Sequence, residues 1–201
     1  MNTATNSRQR IIESARDRFH GRSYADVGVK EICDAAGVQK GSFYHHFESK
    51  RELALAVVDN FIEDWTRNIV TSAFDPTIPP MQRFDRLRES LYQWQLSARE
   101  EDGTMPGCPF GNLALEVSTQ EESIRKKLDL VFAAMEDRLR VTLDEAIEQG
   151  DIAPLDSTST ATAMVAMLEG VMLLAKTRND PELIRSLGIV VKDIRIPMQE
   201  N

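Results

Sequence analysis

The chain has 201 residues, 42% of them hydrophobic and 28% charged, and a formal net charge of -8. This is enough for one or two small domains with a substantial core, and the composition is that of a soluble globular protein. The polar start MNTATNSRQR has no apolar h-region, and the most apolar stretch, 161–175, is interrupted by Glu169 and too short to span a bilayer, so neither secretion nor membrane insertion is expected. Cys33 and Cys108 are too few for a disulfide scaffold, which makes a reduced, cytoplasmic setting the expectation.

In chain order, Ser7 can cap a first helix whose Ile11, Ile12, Ala15 and Phe19 form a core stripe, stopped at Gly21. Residues 31–50 follow, reading EICDAAGVQKGSFYHHFESK. Ile32, Ala35 and Ala36 make a short apolar helical face with Cys33 inside the same core, Gly37-Val38 forms a tight turn, and a second short helix starts at Gln39. Gly37 suits a left-handed exit because it lacks the Cβ that would clash. The second helix carries Gln39, Lys40, Ser42, Tyr44, His45 and His46 on its polar side, while Phe43 and Phe47, four residues apart, share its buried side. Two short helices across a Gly-containing turn form the helix-turn-helix pattern, whose second helix enters the major groove of DNA. Ser49 and Glu52 then match a capping box, which starts another helix with Lys50 in its first turn. Unpaired N–H groups and a lysine there make a phosphate clamp.

At these residues the chain resembles the TetR family of bacterial transcriptional regulators. The resemblance is carried by Ala36-Gly37-Val38-Gln39-Lys40-Gly41-Ser42-Phe43-Tyr44-His45-His46-Phe47-Glu48-Ser49-Lys50 and covers roughly residues 7–55. Gly28 departs from the pattern, where the family often has Thr or Ser capping the first helix of the pair; glycine caps nearly as well but forfeits a hydroxyl. The resemblance implies a DNA-contacting set of Gln39, Lys40, Gly41, Ser42, Tyr44, His45 and Lys50. Lys40, Tyr44 and Lys50 would hold phosphates, and Gln39, Ser42 and His45 would lie nearest base edges.

Charge is divided unevenly. Residues 1–60 hold nine Lys/Arg against eight Asp/Glu, net +1, and the remainder holds fifteen against twenty-four, net -9. DNA binding would rest on a few placed cations and helix termini in the first part, with the acidic part turned away from phosphate.

Beyond residue 50, a long helix to about residue 73 carries Leu53, Val57, Phe61, Trp65 and Ile69 on one face and connects the two parts. Pro76, Pro79 and Pro80 break the pattern. A helix over about 81–98 then aligns Phe84, Leu87, Leu91 and Trp94. After the Gly/Pro-rich stretch 103–111, Ser118 or Thr119 opens a helix with Leu128, Phe132, Met135, Leu139 and Leu143 inside, ending at Gly150. The penultimate helix, about 157–176, is apolar on two faces: Ala163, Ala166 and Gly170 on one, Met164, Met167, Leu168 and Met172 on the other. The last begins at Asp180-Pro181, an N-cap followed by proline at the first helical position.

The reading is all-α with about nine helices: an N-terminal helix-turn-helix DNA-binding domain over 1–50 and a helical effector-binding and dimerisation domain over 51–201. The family resemblance implies a homodimer through the last two helices. Two recognition helices about 34 Å apart would then read successive major grooves of a palindromic operator.

Trp65, Trp94, Phe110, Phe132, Met135 and Met167 are candidates to line an effector site, although an aromatic or Met stripe at helical spacing also describes plain core. Cys108 lies in Met105-Pro106-Gly107-Cys108-Pro109-Phe110-Gly111-Asn112, where Pro109 suits a first helical position and makes Cys108 its N-cap. The positive end of a helix dipole favours thiolate. The segment is similar to that of TetR-type regulators that respond to electrophiles or oxidants. A buried, unreactive cysteine is the competing reading for Cys108 and the expected one for Cys33.

His45-His46 does not suggest a metal, because adjacent helical residues point about 100° apart and no ligand completes a site. No cofactor is implied. No nucleophile with its base marks an enzyme, His20 being the one further histidine. Glu116 and Glu169, in apolar surroundings, are candidate buried acids. The expected function is a TetR-like repressor released by a small molecule or by modification of Cys108; the alternative is an α-helical ligand-binding protein or enzyme whose helix-turn-helix serves protein contacts.

Overall fold

A computed structural model describes residues 3–198, with side chains from residue 7 onward, and among these residues there are nine α-helices and no strand. In chain order they are α1 (Thr3–Gly21), α2 (Val29–Ala36), α3 (Lys40–His46), α4 (Lys50–Trp65), α5 (Pro80–Asp102), α6 (Pro109–Val117), α7 (Glu122–Glu148), α8 (Ser157–Arg178) and α9 (Glu182–Gly188). A π-helical turn, Thr66–Val70, and a short tail, Thr71–Ala73, continue α4, and a 3-10 turn, Ile189–Asp193, follows α9. Two compact units result. One is the chain up to Glu63 with Pro109–Asp129; the other is Asp64–Cys108 with the chain from Leu130 onward.

In the first unit the expected stripe of α1 is present, with Ile11, Ile12, Ala15 and Phe19 all buried. Its start differs from expectation. The helix begins at Thr3, so Ser7 is not a cap; its buried hydroxyl lies 2.8 Å from His46 Nε2, an exchange that satisfies a polar group the helix interior would otherwise strand. Gly28 caps α2 through extended backbone at φ -86° and ψ 154°, with no side-chain bond. Leu53, Val57 and Phe61 of α4 are buried as their spacing requires, each contributing about 1.5–3 kcal/mol by removal from water. Phe61 meets Phe110 of α6 edge to face at 6.2 Å, and Phe110 is only 1% exposed.

In the second unit, the Thr71 hydroxyl donates to the Thr66 carbonyl at 2.8 Å, a local bond within the widened turn where α4 is continued. α5 is longer than expected at both ends and stops at Gly103, whose φ of 76° ends the helix. Its buried stripe of Phe84, Leu87 and Leu91 also includes two polar side chains, Arg83 and Gln95. Arg83 donates to the carbonyls of Ile78 (2.8 Å) and Pro76 (3.3 Å) and pairs with Glu145 at 2.6 Å, so its charge is compensated on every side. α7 buries Leu128, Leu139 and Leu143, and ends before Gly150 at φ 78°. Leu128 belongs to the part of α7 in the first unit, Leu139 and Leu143 to the part in the second.

The Asp156 carboxylate accepts the Ser159 N–H at 3.0 Å and caps α8. This helix runs 22 residues and is long and apolar enough to cross a membrane by length and composition, whereas sequence reading saw a shorter apolar stretch. Within its unit α8 packs on α9 and the closing 3-10 turn, with Met164, Val165, Val171, Met172 and Ala175 buried. α9 starts one residue later than expected. Pro181 is its N-cap rather than its first residue, and the Asp180 carboxylate accepts the Glu182 N–H at 3.1 Å.

Candidate nucleic-acid interface and thiol segment

The helix-turn-helix is built as its chemistry demands. α2 ends at Gly37 with φ 62° and ψ 41°, and this left-handed turn lets Gly37 N–H donate to Asp34 O (3.3 Å) and Val38 N–H to Cys33 O (3.0 Å). Gln39, in extended backbone, is the N-cap of α3. Phe43 and Phe47 are buried, their rings 5.8 Å apart, and anchor α3 to the unit. With those two positions inward, Gln39, Lys40, Gly41, Tyr44 and His45 are exposed and Ser42 is half-buried. Tyr44, a large ring, is 57% exposed. Such a surface suits groove contact rather than packing.

His46 departs from the polar face. It is half-buried on the Ser7 hydroxyl, and burial, with the charges of His45 and Arg8, keeps its imidazole below the usual range. Arg8 was missed from sequence. It is exposed, and its guanidinium lies 5.3 Å over the Phe47 ring, placing a cation beside the end of α3. An arginine next to the Ser7 that reaches His46 becomes meaningful only once α1 and α3 are packed together.

The capping box at the start of α4 forms in modified form. Glu52 N–H donates to Ser49 Oγ at 3.1 Å, while the Glu52 carboxylate accepts from Glu48 N–H at 2.6 Å rather than from Ser49. Lys50 is half-buried. Its ammonium donates to Ala25 O at 3.2 Å and lies 4.5 Å from the Tyr24 ring centre. Burial lowers its pKa, opposed by the nearby charges of Glu116, Asp26 and Glu121. Glu116 itself, on α6, accepts from the Ser23 hydroxyl (2.5 Å), Ala25 N–H (2.6 Å) and Tyr24 N–H (2.9 Å). Burial pushes its carboxyl up, but these bonds and the Lys50 charge together outweigh that and hold it below the usual carboxylate range.

In the second unit, the segment before α6 is fastened at three points. The fully buried Gln95 amide donates to Gly107 O and accepts from Gly107 N–H, both at 3.1 Å. Asn179, which caps α8 in the left-handed conformation, accepts Met105 N–H at 2.9 Å and donates to Gly103 O at 2.9 Å. Cys108 is buried at 8% exposure and its thiol donates to Glu169, whose carboxyl is pushed up by burial. Gln95 and Asn179 were not singled out from sequence. The signal for Gln95 was its place four residues after Leu91, on the buried stripe.

Pro109 is the first residue of α6, as its ring geometry predicts. Both cysteines are free, and burial, foremost, raises the Cys33 thiol. Trp65 and Trp94 are half-buried and meet edge to face at 6.5 Å, and Phe132, Met135 and Met167 are also half-buried in the second unit. Phe110 belongs to the first unit. No group of three or more metal-ligating side chains is found among the described residues.

Helices alone among the described residues, with an exposed polar α3 held to α2 by a glycine turn, define a helix-turn-helix protein. Residues 11–57 match the family described as bacterial regulatory proteins, tetR family, and residues 84–187 match the tetracyclin repressor-like C-terminal domain. The chain belongs to the TetR family of transcriptional regulators. It is 29% identical over 195 residues to the HTH-type transcriptional repressor DhaR of Mycobacterium sp. (strain GP1), covering 96% of this chain and 94% of that one. It is also 29% identical over 187 residues to the transcriptional regulator AcuR of Cereibacter sphaeroides, covering 91% and 82%. The crystal structure of regulatory protein TetR from Rhodobacter sphaeroides superposes with a TM-score of 0.80 at 28% identity, covering 94% of this chain and 98% of that one.

Proposed function

We propose that the protein is a homodimeric, cytoplasmic repressor that binds a palindromic operator and is released by a small-molecule effector or by modification of Cys108, with no catalytic role. The observation that carries the DNA reading is the exposed face of α3, with Phe43 and Phe47 buried behind it. Residues 1–50 read DNA and residues 51–201 receive the effector and dimerise. Lys40, Tyr44 and Lys50 hold phosphates, Gln39, Ser42 and His45 face base edges, and Gly41 permits close backbone approach. The family membership supports this assignment.

Dimerisation is supported by the outer face of α8. Thr162, Ala166, Gly170, Leu173, Leu174 and Thr177 are all exposed at helical spacing, a strip with room for a partner helix and two leucines to bury. The seven-residue α9 is too short to form the second helix of such a pair, so the long α7 is the better companion, with Val141 exposed on it.

The effector reading rests on the half-buried Trp65, Trp94, Phe132, Met135 and Met167, with Phe110 as core support, and on Cys108. The thiol has a proton acceptor in Glu169, so alkylation of sulfur by an electrophile can pass the displaced proton to that carboxylate. Effector binding tilts the helix that starts at Lys50 and changes the separation of the recognition helices. Only an effector with different affinities for the two arrangements does this; a hundredfold difference per site corresponds to about 2.7 kcal/mol.

Mobility-shift titration of the DNA flanking the protein's own gene, over a salt series, tests the reading. Specific binding that weakens steeply with salt is expected, with a shallower slope for Lys40→Ala. Absent or salt-insensitive binding favours a ligand-binding protein or enzyme whose helix-turn-helix contacts proteins. Cys108→Ser should bind the operator yet stay bound when an electrophile is added; unchanged release removes Cys108 from the mechanism.

A further inference from the structure

Three donors of the turn between α1 and α2 converge on the Glu116 carboxylate: the Ser23 hydroxyl, Tyr24 N–H and Ala25 N–H, at 2.5, 2.9 and 2.6 Å. The same turn holds Lys50 through the Ala25 carbonyl at 3.2 Å and the Tyr24 ring at 4.5 Å. Ala25 thus donates its N–H to a carboxylate and accepts from an ammonium at its carbonyl. The turn is further closed by Asp26 N–H donating to Ser23 Oγ at 3.3 Å, and the Tyr24 hydroxyl reaches Glu121 at 3.4 Å. Lys50 is also the first residue of α4, where orphan N–H groups and the helix dipole favour an anion. Its ammonium therefore has two competing destinations, the turn and a phosphate, and in this structure it occupies the turn.

We infer that Lys50 is a gated phosphate contact and that Glu116 is its gate. With the carboxylate seated, the carbonyl and ring that hold the ammonium are fixed in place, and the negative charge of Glu116 adds to the attraction. When α6 withdraws Glu116, three hydrogen bonds to the turn are lost together, the acidic neighbour leaves, and Lys50 turns to the DNA backbone. This rests on the DNA-binding reading and adds to it a residue on α6, the helix that begins directly after Cys108. A ligand that favours the seated carboxylate lowers operator affinity by removing a cation from the interface of each protomer.

The test is the slope of log K against log salt for operator binding, measured on the full chain. Glu116→Gln keeps the size of the side chain, removes the charge and points an NH2 group at N–H donors. In the wild type Lys50 is divided between the turn and the phosphate, so the Glu116→Gln slope should be steeper by up to ~0.9 per protomer, the value of one phosphate contact made in full. In a Lys50→Met background, Glu116→Gln should change nothing. Ser23→Ala, which removes one donor only, should shift the slope in the same direction by less, and thermal melts of each variant show that it is folded. A slope gain that survives Lys50→Met, or an unchanged slope in both Glu116→Gln and Ser23→Ala, overturns the gate. Absence of salt-dependent binding by the wild type is a separate result that removes the DNA reading and the gate with it.

Discussion

Replacing Gly37 probes the joint between α2 and α3. Its φ of 62° lies in the left-handed region, where an L side chain crowds the following carbonyl and costs roughly 1–2 kcal/mol. Space is not the obstacle, because a Cβ built there would meet Arg10 Nη1 at 3.5 Å, an ordinary contact. Alanine also narrows the unfolded ensemble and recovers about 0.4–1 kcal/mol, so Gly37→Ala should cost on the order of 1 kcal/mol. Asparagine tolerates this conformation and should cost less, while β-branched valine should cost more than alanine. Two turn bonds, Gly37 N–H to Asp34 O and Val38 N–H to Cys33 O, depend on the same backbone and set the angle at which α3 leaves α2. Urea denaturation should therefore rank stability Gly, Asn, Ala, Val, and operator affinity should follow the same order. Alanine as stable as glycine, or asparagine as costly as valine, would refute the backbone argument.

Two further outcomes follow from buried polar groups of the second unit. Burial raises the Glu169 carboxyl, so the folded protein binds its proton more tightly than the unfolded chain does; the stability this contributes is present below the unfolded pKa, near 4.3, and is lost as pH rises through the folded value. Glu169→Gln should therefore be more stable than wild type at neutral pH, with the advantage vanishing as pH falls below about 4 in denaturation curves; an advantage independent of pH would contradict the assignment. Arg83→Met keeps an apolar stem but leaves the Ile78 and Pro76 carbonyls without their donor and Glu145 without its partner. It should cost about 2–4 kcal/mol by urea titration, and a loss below 1 kcal/mol would mean that water takes over the guanidinium's role.

The recognition elements were legible because their signals are local. Glycine at 37, aromatics at 43 and 47 and the serine at 49 each act on backbone within four residues, so the helix pair and its exposed face follow from sequence spacing. The same holds for Pro109 at the start of α6 and for Gly150 after α7, whereas the end of α5 at Gly103 lies beyond the expected stop near residue 98. Ser7 was misread as a cap for the converse reason. A serine near a helix start satisfies the local rule, but its real partner, His46, lies 39 residues away.

What tertiary structure decided was the destination of long polar side chains. A lysine at a helix N-terminus reads as a phosphate ligand, yet whether its ammonium meets solvent or the Ala25 carbonyl depends on a turn 25 residues earlier. A glutamate on an apolar helix reads as solvated or buried, and its bonds to Ser23, Tyr24 and Ala25 cross more than 90 residues of chain. The pattern of apolar residues settled which helices form and most of the faces they bury, since hydrophobic periodicity and capping act over one or two turns; Ala35, expected on the inner face of α2, is exposed, and Phe132 and Met135 of α7 are only half-buried. Partners of charged and amide groups were settled by packing, because a hydrogen bond requires atoms within about 3 Å and sequence spacing carries that distance only inside a single element.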